Sequence, residues 1–269
     1  MNRSIRKNAG TISIRLLIAA FSIAMLGQQV VAQNTSAPAR MNEWKFLVEP
    51  YFWMASMNGS IGVGNLPSAS ICIPFNEILS HLSAGLMLYA EGHNDKFAIS
   101  SDLFYASLKQ DASGKNGIAN GNVTVKQLMW ELAGLYRVSP WLEFGLGARI
   151  NSLDNGVDIN VDSTLISGPH HRSGSKSVTW VDPIVITRLM GMIDKKWMLQ
   201  LRADIGGFGI GSQLTWQLHP IVAYRFSKLF QTGIGYRILS IDYNKGSGSD
   251  QFIYDMDIYG PEIRLGFNF

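Results

Sequence analysis

The chain of 269 residues has few charges and a single cysteine. Charged side chains make up 16% of it, against roughly 25% in soluble domains, while 46% is hydrophobic and 11% is aromatic. So many aromatic residues with so little net charge exclude a disordered chain. Because Cys72 has no second cysteine to pair with, an intramolecular disulfide is excluded, and we expect a passive thiol there.

Long apolar runs are missing except near the N-terminus, which excludes a helical membrane protein. That run, Leu16–Leu26, is about 11 residues long and too short to span a bilayer. A basic region precedes it: Arg3, Arg6, Lys7 and Arg15. Val30-Val31-Ala32 then places small residues before Gln33, so residues 1–32 are predicted to be a secretory signal peptide. An uncleaved anchor helix is the weaker alternative, because the apolar run is short.

The positive charge of the full chain belongs to this leader. Cleavage removes four of the 23 basic residues and none of the 20 acidic ones, so 19 bases face 20 acids and the net charge becomes −1. We therefore expect no nucleic-acid partner. Residues 33–42 form a short N-terminal segment, and 43–269 show no linker that would divide them into two domains.

The mature sequence alternates between apolar and polar residues over long stretches. One stretch runs from Trp197 to Ile205 and another from Tyr259 to Phe269, with an apolar side chain at almost every second position. This period of two is typical of strands whose two faces meet different environments. Strands of ten or more residues are long against the usual five or six.

Ten such strands can be placed, with polar breaks between them. They lie near 43–57, 83–92, 96–109, 122–138, 141–157, 175–192, 196–207, 212–227, 229–244 and 250–269. Apart from the break after Gly207, short breaks alternate with long ones, as in outer-membrane barrels with short periplasmic turns and long outer loops. We predict an all-β fold, a single up-and-down antiparallel transmembrane β-barrel of about ten strands located in the outer membrane, with eight or twelve strands as alternatives.

A soluble β-sandwich or lipocalin-like barrel also alternates, but it places polar residues outside and large apolar residues inside. Here the face rich in Leu, Phe, Trp and Tyr continues for about ten residues per strand, the length that crosses a bilayer. The opposite face is read as Gly, Ala, Gln and charged residues, from which a soluble core could not be built. The pattern therefore favours the membrane barrel.

Several short stretches resemble an uncharacterised family of outer-membrane β-barrel proteins of Gram-negative bacteria. They are Trp180–Val185, Asp204–Ser212, Gly235–Arg237, Asp242-Tyr243 and Tyr259–Pro261, with a weaker likeness from Trp44 onwards. One departure is Ile186, where a small residue is expected and a lumen-facing isoleucine would narrow the bore. The resemblance implies the fold and the location but no activity.

The alternation assigns eight acids and seven arginines to the lumen. They are Glu49, Glu91, Asp102, Glu131, Arg137, Glu143, Arg149, Asp182, Arg188, Arg202, Asp204, Arg225, Arg237, Glu262 and Arg264. The planar guanidinium suits close pairing with carboxylates, so the set predicts a structural charge network in a narrow lumen. The functional alternative is a charged constriction that filters solutes.

Other motifs that suggest chemistry are weak. The glycines of Asp204–Ser212 do not lead into a helix, so we expect a tight outer turn and no phosphate loop. His170-His171 has no acidic or cysteine partner at ligand spacing, and we predict neither a metal site nor a cofactor. His219 faces the lumen among carboxylates, but spacing yields no Ser–His–acid set, so no catalytic residue is assigned and we expect no enzyme.

Segment 58–82 is the longest insertion between strands. Pro74 can begin a short helix with Phe75, Ile78, Leu79 and Leu82 on one face. Such a segment would pack on the barrel rim or fold over the lumen as a lid or plug. Alternation in Ser60–Gly64 and Ser70–Ile73 is the basis for the twelve-strand alternative.

The chain ends as outer-membrane barrels end, with Phe267 and a terminal Phe269 on the apolar face. We read these two residues as an assembly signal, so the expected partners are the barrel-assembly machinery and outer-membrane lipid, with the oligomeric state open. The leading function is a structural envelope barrel with, at most, passage of small solutes. The alternatives are a lipid-modifying enzyme that uses His219 and a surface adhesion or recognition scaffold.

Overall fold

A computed structural model describes residues 43–65, 67–113, 119–161 and 170–269. The predicted signal peptide, its cleavage site and segment 33–42 lie outside the described residues. So do the side chains of His170 and His171.

The described chain forms twelve strands, one short α-helix and one turn of 3-10 helix, Gly248–Asp250. The strands and the α-helix are β1 (Lys45–Trp53), β2 (Ser56–Val63), β3 (Ala69–Ile73), α1 (Phe75–His81), β4 (Leu82–His93), β5 (Phe97–Ser113), β6 (Ala119–Ser139), β7 (Leu142–Val161), β8 (His170–Met192), β9 (Trp197–Gly206), β10 (Leu214–Arg225), β11 (Phe230–Lys245) and β12 (Phe252–Asn268). Within these ranges, no helix is long and apolar enough to cross a membrane.

The strands close into an antiparallel barrel of ten staves, which confirms the predicted fold class. β1 pairs with β4, each strand from β4 to β11 pairs with the next, and β12 closes the ring on β1 through pairs such as Val48↔Phe267. β1 and β2 both pair with β12, one above the other, and therefore count as one stave. β3 pairs with β2 alone, so the twelve-strand alternative is wrong for the ring although both extra strands exist.

A kink separates β1 from β2, and a glycine on β12 makes room for it. The Met54 N–H donates to the Pro261 carbonyl at 2.9 Å. A Cβ on Gly260 would lie 2.0 Å from the Met54 carbonyl oxygen, so only glycine fits at this approach. Tyr259–Pro261 of β12 is therefore the stretch against which the chain bends between β1 and β2.

Short turns and both ends of the described barrel lie at the same rim, which identifies the periplasmic side. Asn94, Asp194 and Ser227 each accept two backbone N–H groups from the residues that follow, a side-chain device that closes tight turns. At Asp194 the N–H groups of Lys196 and Trp197 lower the pKa of the carboxyl group. Phe46 and Phe269 exchange backbone hydrogen bonds of 3.1 and 2.8 Å at this rim.

The outside of the barrel is apolar, with aromatic side chains at the periplasmic rim. Trp197, Tyr224, Phe226, Phe230 and Phe267 contact one another in sequence, with ring centroids 4.9, 4.8, 5.7 and 5.6 Å apart. Aromatic girdles of this kind mark the membrane interface of outer-membrane barrels. A closed barrel with an apolar surface satisfies its backbone internally, as hydrocarbon requires. The protein is an outer-membrane β-barrel.

Three neighbouring strands extend far beyond the membrane on the outer side. β6, β7 and β8 contain 21, 20 and 23 residues and stay paired to Ala119↔Val161 and Val161↔His170. A membrane crossing needs roughly 9–11 residues. About half of each strand therefore stands outside the bilayer as a raised part of the wall.

Candidate functional site

The lumen contains nearly all the charges that the alternation assigned to it. Thirteen of the fifteen predicted residues are buried: Glu49, Glu91, Asp102, Glu131, Glu143, Arg149, Asp182, Arg188, Arg202, Asp204, Arg237, Glu262 and Arg264. Arg137 keeps 23% of its side chain exposed, and Arg225 is exposed at the periplasmic mouth. Alternation therefore predicts which charged side chains face the lumen. Which of them pair depends on how the closed barrel brings different strands together.

The Glu131 cluster joins β6, β7 and β9 at mid-height. Arg149 Nη2 donates to Glu131 at 2.9 Å and to Asp204 at 2.7 Å, and Arg202 pairs with the other Glu131 oxygen. Gln217 Nε2 donates to the second Asp204 oxygen at 3.1 Å. Every carboxylate oxygen in this cluster thus has a donor.

The Glu262 cluster lies beside the closing strands β12 and β1. Glu262 pairs with Arg264 and lies 3.0 Å from Arg237 Nη2, which also donates to Asp102 at 2.9 Å. Arg264 Nη1 reaches Glu49 at 3.1 Å. The cluster therefore ties β12 to β1 and β5 as well as to β11.

Aromatic faces cover the two arginines of the Glu262 cluster. The Arg237 guanidinium lies 5.1 Å from the Tyr51 ring and 5.0 Å from the Trp53 ring. Arg264 lies 5.0 Å from the rings of Tyr51 and Tyr89. Contacts within about 6 Å of an aromatic face are attractive for a cation. Carboxylates and aromatic rings therefore engage both arginines together.

The Glu143 cluster lies nearest the periplasm. Glu143 accepts from Arg137 Nε at 2.9 Å and from Arg188 Nε at 2.7 Å. Arg188 also pairs with Glu91, which His93 Nδ1 approaches at 3.2 Å. This cluster faces the mouth of the barrel.

Asp182 differs from the other predicted carboxylates because no arginine among the described residues pairs with it. It accepts from the Ser212 N–H at 2.6 Å and the Ser212 hydroxyl at 2.9 Å. Trp180 Nε1 and Asn151 Nδ2 each donate to it at 3.0 Å. The prediction of a charge partner for Asp182 is therefore wrong: this carboxylate anchors the β9–β10 turn to the wall.

The β9–β10 turn can reach Asp182 only because glycines let it approach. Gly207 and Gly209 have φ values of 85° and 74°. A Cβ on Gly211 would lie 2.4 Å from the Val181 carbonyl oxygen. The run Asp204–Ser212 is thus a tight outer turn docked against β8.

Above the charge clusters the lumen is filled with apolar side chains, contrary to the expected face of small and polar residues. We call this the outer core. Its buried members are Trp53, Ala55, Phe104, Ala106, Met129, Leu153, Trp180, Leu239, Ile241, Tyr243, Phe252, Tyr254, Met256 and Ile258, and Tyr51 and Tyr89 continue the same apolar contacts down to Asp102 and Glu91. Trp180 stacks on Tyr243 with centroids 4.2 Å apart. Alternation assigns one chemical character to a whole face, whereas the side chains in the lumen change from charged to apolar along the height of the barrel.

Ile186 faces the lumen and is fully buried, as its position in the alternation required. It pairs with Gly145, and its neighbour Ile184 lies between Gly147 on β7 and Gly206 on β9. Isoleucine on one strand thus occupies the room left by glycine on the next. This complementarity was readable from the sequence only once the register was known.

His219, the residue on which the enzyme alternative rests, is buried in the Glu262 cluster. Its Nε2 lies 3.3 Å from Glu262 Oε1, and no serine hydroxyl bonds to it among the residues that the structure describes. Nor does that part of the chain hold a group of three or more His, Cys, Asp or Glu side chains suited to a metal.

Below the clusters a cavity of about 190 Å³ opens at the periplasmic end. We call it the vestibule. Its wall includes Arg188, Arg225 and Arg264 together with Met190 and Met198. Sequence reasoning missed the vestibule because a cavity depends on how side chains from opposite staves meet.

No protein-family model matches the sequence. The search among curated proteins finds no match either. Solved structures are similar in fold: the outer membrane protease OmpT from Escherichia coli has a TM-score of 0.43 and 8% identity, covering 84% of this chain and 96% of its own.

Two further structures illustrate the range of that likeness. Ail, the attachment invasion locus protein of Yersinia pestis, has a TM-score of 0.34 and 9% identity over 85% of this chain and 100% of its own. The P. putida toluene transporter TodX has a TM-score of 0.31 and 7% identity over 84% and 89%. At such scores these three likenesses carry no argument about activity.

Proposed function

We propose that the protein is a structural barrel of the outer membrane whose lumen is closed to solutes. The observation that carries this proposal is the outer core, in which Trp53, Tyr254, Ile241 and Met256 are almost completely buried. Interiors packed in this way leave few voids larger than a water molecule. Ten staves are also close to the eight that side chains alone can fill.

The charge clusters close the middle of the same path. A cavity at their level, beside Asp102, Glu131 and Arg237, measures about 20 Å³. That is near the volume of one water molecule. Since each buried carboxylate is engaged by arginine, amide, hydroxyl or indole donors, the clusters support a bracing role more than a selectivity filter.

The structure also favours bracing over catalysis at His219. A hydrolase or acyltransferase needs a nucleophile within hydrogen-bond reach of the base and access for its substrate. His219 keeps 2% of its surface exposed, and its Nε2 lies 3.3 Å from a Glu262 oxygen. We therefore propose no enzymatic activity for it.

A surface scaffold is the second candidate, favoured by the raised part of the wall. β6, β7 and β8 remain paired well beyond the membrane, and Ser173–Ser177 at that end are exposed. A rigid sheet of this kind could present loops to a partner. Deletion of residues 158–174 should abolish such binding while leaving the barrel heat-modifiable on a gel.

The proposed partner during assembly is the barrel-assembly machinery, which would read Phe267 and Phe269. Both side chains face the lipid side, with 40% and 73% of their surface exposed. Phe269 is the residue to replace, because Phe267 also contacts Phe230 in the finished barrel. Replacing Phe269 with Ala should slow assembly. The same replacement at Phe226, a rim residue outside the last strand, is the control.

Solute uptake into proteoliposomes tests the closed lumen. The unmutated barrel should give no swelling with small neutral solutes, while Trp53→Ala with Met256→Ala should open a path through the outer core. Phe52→Ala with Asp257→Ala changes the outward neighbours of the same two residues and should stay closed. Rapid uptake by the unmutated protein would refute the proposal.

A further inference from the structure

The position of the vestibule determines from which side of the membrane a ligand can enter it. Its lining comes from the periplasmic ends of nearly every stave, from Leu47 on β1 to Asn268 at the end of β12. Residues of the Glu143 and Glu262 clusters form part of its wall, and the outer core lies above them. Any ligand must consequently come from the periplasm and leave by the same mouth.

The charges on the vestibule wall leave one cation over. Glu49 is engaged by Arg264 and Gln231, and Glu91 is engaged by Arg188, Tyr89 and His93. Arg137 pairs with Glu143, a buried lumen residue that does not itself line the vestibule.

Arg225 is the exception. It lines the vestibule and makes no ion pair among the described residues. Among the described residues, Arg225 is thus left without a carboxylate partner. The planar guanidinium of an arginine can donate two parallel hydrogen bonds and is therefore well suited to bind a carboxylate.

Part of the vestibule wall is apolar. Leu47, Met190, Met198 and Ile221 line it together with Ala223. Methionine side chains are flexible and polarizable, so they adapt to small apolar ligands. Sites with a mostly apolar wall and a few placed polar groups are the usual form of small-molecule pockets.

We propose that the vestibule binds a small monocarboxylate with a short aliphatic tail, taken up from the periplasm. The carboxylate pairs with Arg225, and the tail lies against Met190 and Met198. A cavity of about 190 Å³ has the room of about six water molecules, which matches the six non-hydrogen atoms of butyrate. The closed path above makes this a binding site and not a channel entrance.

Methyl NMR of methionine in the purified barrel, with butyrate as the probe, tests the proposal. Butyrate should shift the methyl signals of Met190 and Met198 saturably and leave Met256 of the outer core unchanged. Butyramide, its uncharged analogue of equal size, should bind at least about tenfold more weakly, a difference of 1.4 kcal/mol.

Variants separate the arginine fork from general positive charge. Arg225→Gln should weaken butyrate binding about tenfold. Lys228→Gln removes the same charge from the neighbouring turn and should leave binding within about twofold. If Arg225→Gln does not give a heat-modifiable barrel, Arg225→Lys keeps the charge but loses the fork, and weaker binding is again expected.

Three results would overturn the proposal. Equal binding of butyrate and butyramide would show filling of an apolar space without carboxylate recognition. Unchanged affinity in Arg225→Gln, or in Arg225→Lys where only that variant folds, would remove the assigned partner. Shifts that do not saturate, or that reach Met256 equally, would show no site at all.

Discussion

At the scale of the residue, successive side chains along a strand point in turn to the lipid and to the lumen. Leu201 on β9 pairs with Leu189 and Pro220 on the lipid side. Its neighbour Arg202 is buried in the Glu131 cluster. The direction of the side chain, set by the pleat, decides which chemistry a position tolerates.

Substitutions at these two neighbouring positions should therefore have very different effects on membrane insertion. Leu201→Arg places a charge against lipid and should reduce the free energy of unfolding by roughly 2–4 kcal/mol if it lies near the bilayer midplane. Arg202→Gln should leave membrane insertion intact while weakening the Glu131 cluster. Urea unfolding in vesicles measures both, and a Leu201→Arg barrel as stable as the unmutated one would put the alternation out of register.

Asp182 supports a second prediction, because four neutral donors converge on it. Asp182→Asn removes the charge and turns one acceptor oxygen into a donor, so at least one buried N–H or O–H loses its partner. Hydrogen bonds to charged groups contribute about 1.5–3 kcal/mol each, and we expect a loss of about 3 kcal/mol or more in urea unfolding. Asp154→Asn, an exposed carboxylate on the adjoining strand, should change stability little; equal effects would contradict the anchoring role.

The alternation predicted which side chains point inward, because the period of a strand is local. It did not predict which arginine meets which carboxylate, since partners such as Glu49 and Arg264 are 215 residues apart. Asp182 shows the consequence: its inward direction was readable, but its partners come from a turn that docks across the wall.

At the scale of the element, the weakest part of the wall is between β1 and β4. Their pairing stops at Pro50↔Leu88, where proline offers no N–H. Beyond it the Trp53 N–H points to the thioether of Met87 at 3.2 Å instead of a carbonyl. We call the gap between Tyr51–Trp53 and Leu82–Met87 the seam.

The helix predicted from Pro74 is present as α1, and it closes the seam. The N–H of Phe75 donates to Ser56 Oγ at 3.1 Å, and its ring lies 5.9 Å from that of the outward-facing Phe52. The suggested lid over the lumen is therefore wrong, and packing on the wall is what the structure shows. Helix spacing predicted α1 itself, but its place depends on where the β1–β4 ladder fails.

Hydrogen exchange should identify the seam. Amides of Leu82–Met87 that face β1 lack a ladder partner, so they should exchange faster than amides of Val222–Tyr224, which are paired on both sides. Mass spectrometry of the folded barrel in deuterated buffer would measure this. Equal protection of the two segments would mean that the wall is sealed there by bonds that the structure does not contain.

At the scale of the whole molecule, closure of the ring and the apolar outer surface place the barrel in the outer membrane. The predicted leader adds an expectation about its maturation. The isolated protein should begin at Gln33 and fractionate with the outer membrane, as N-terminal sequencing and density-gradient separation would show. A leader still attached, or a soluble periplasmic pool, would contradict this account.

The central claim is that packed side chains close the lumen, and single-channel recording in planar bilayers tests it most directly. The unmutated barrel should give no steady current. Arg237→Ala should lower the free energy of unfolding, because removing one partner of a buried ion pair typically costs about 3–5 kcal/mol. The cost is smaller where water reaches the pair. The variant should also show rare, cation-selective openings, since Asp102 and Glu262 lose their shared partner. Large steady currents through the unmutated protein would contradict the claim and show an open pore.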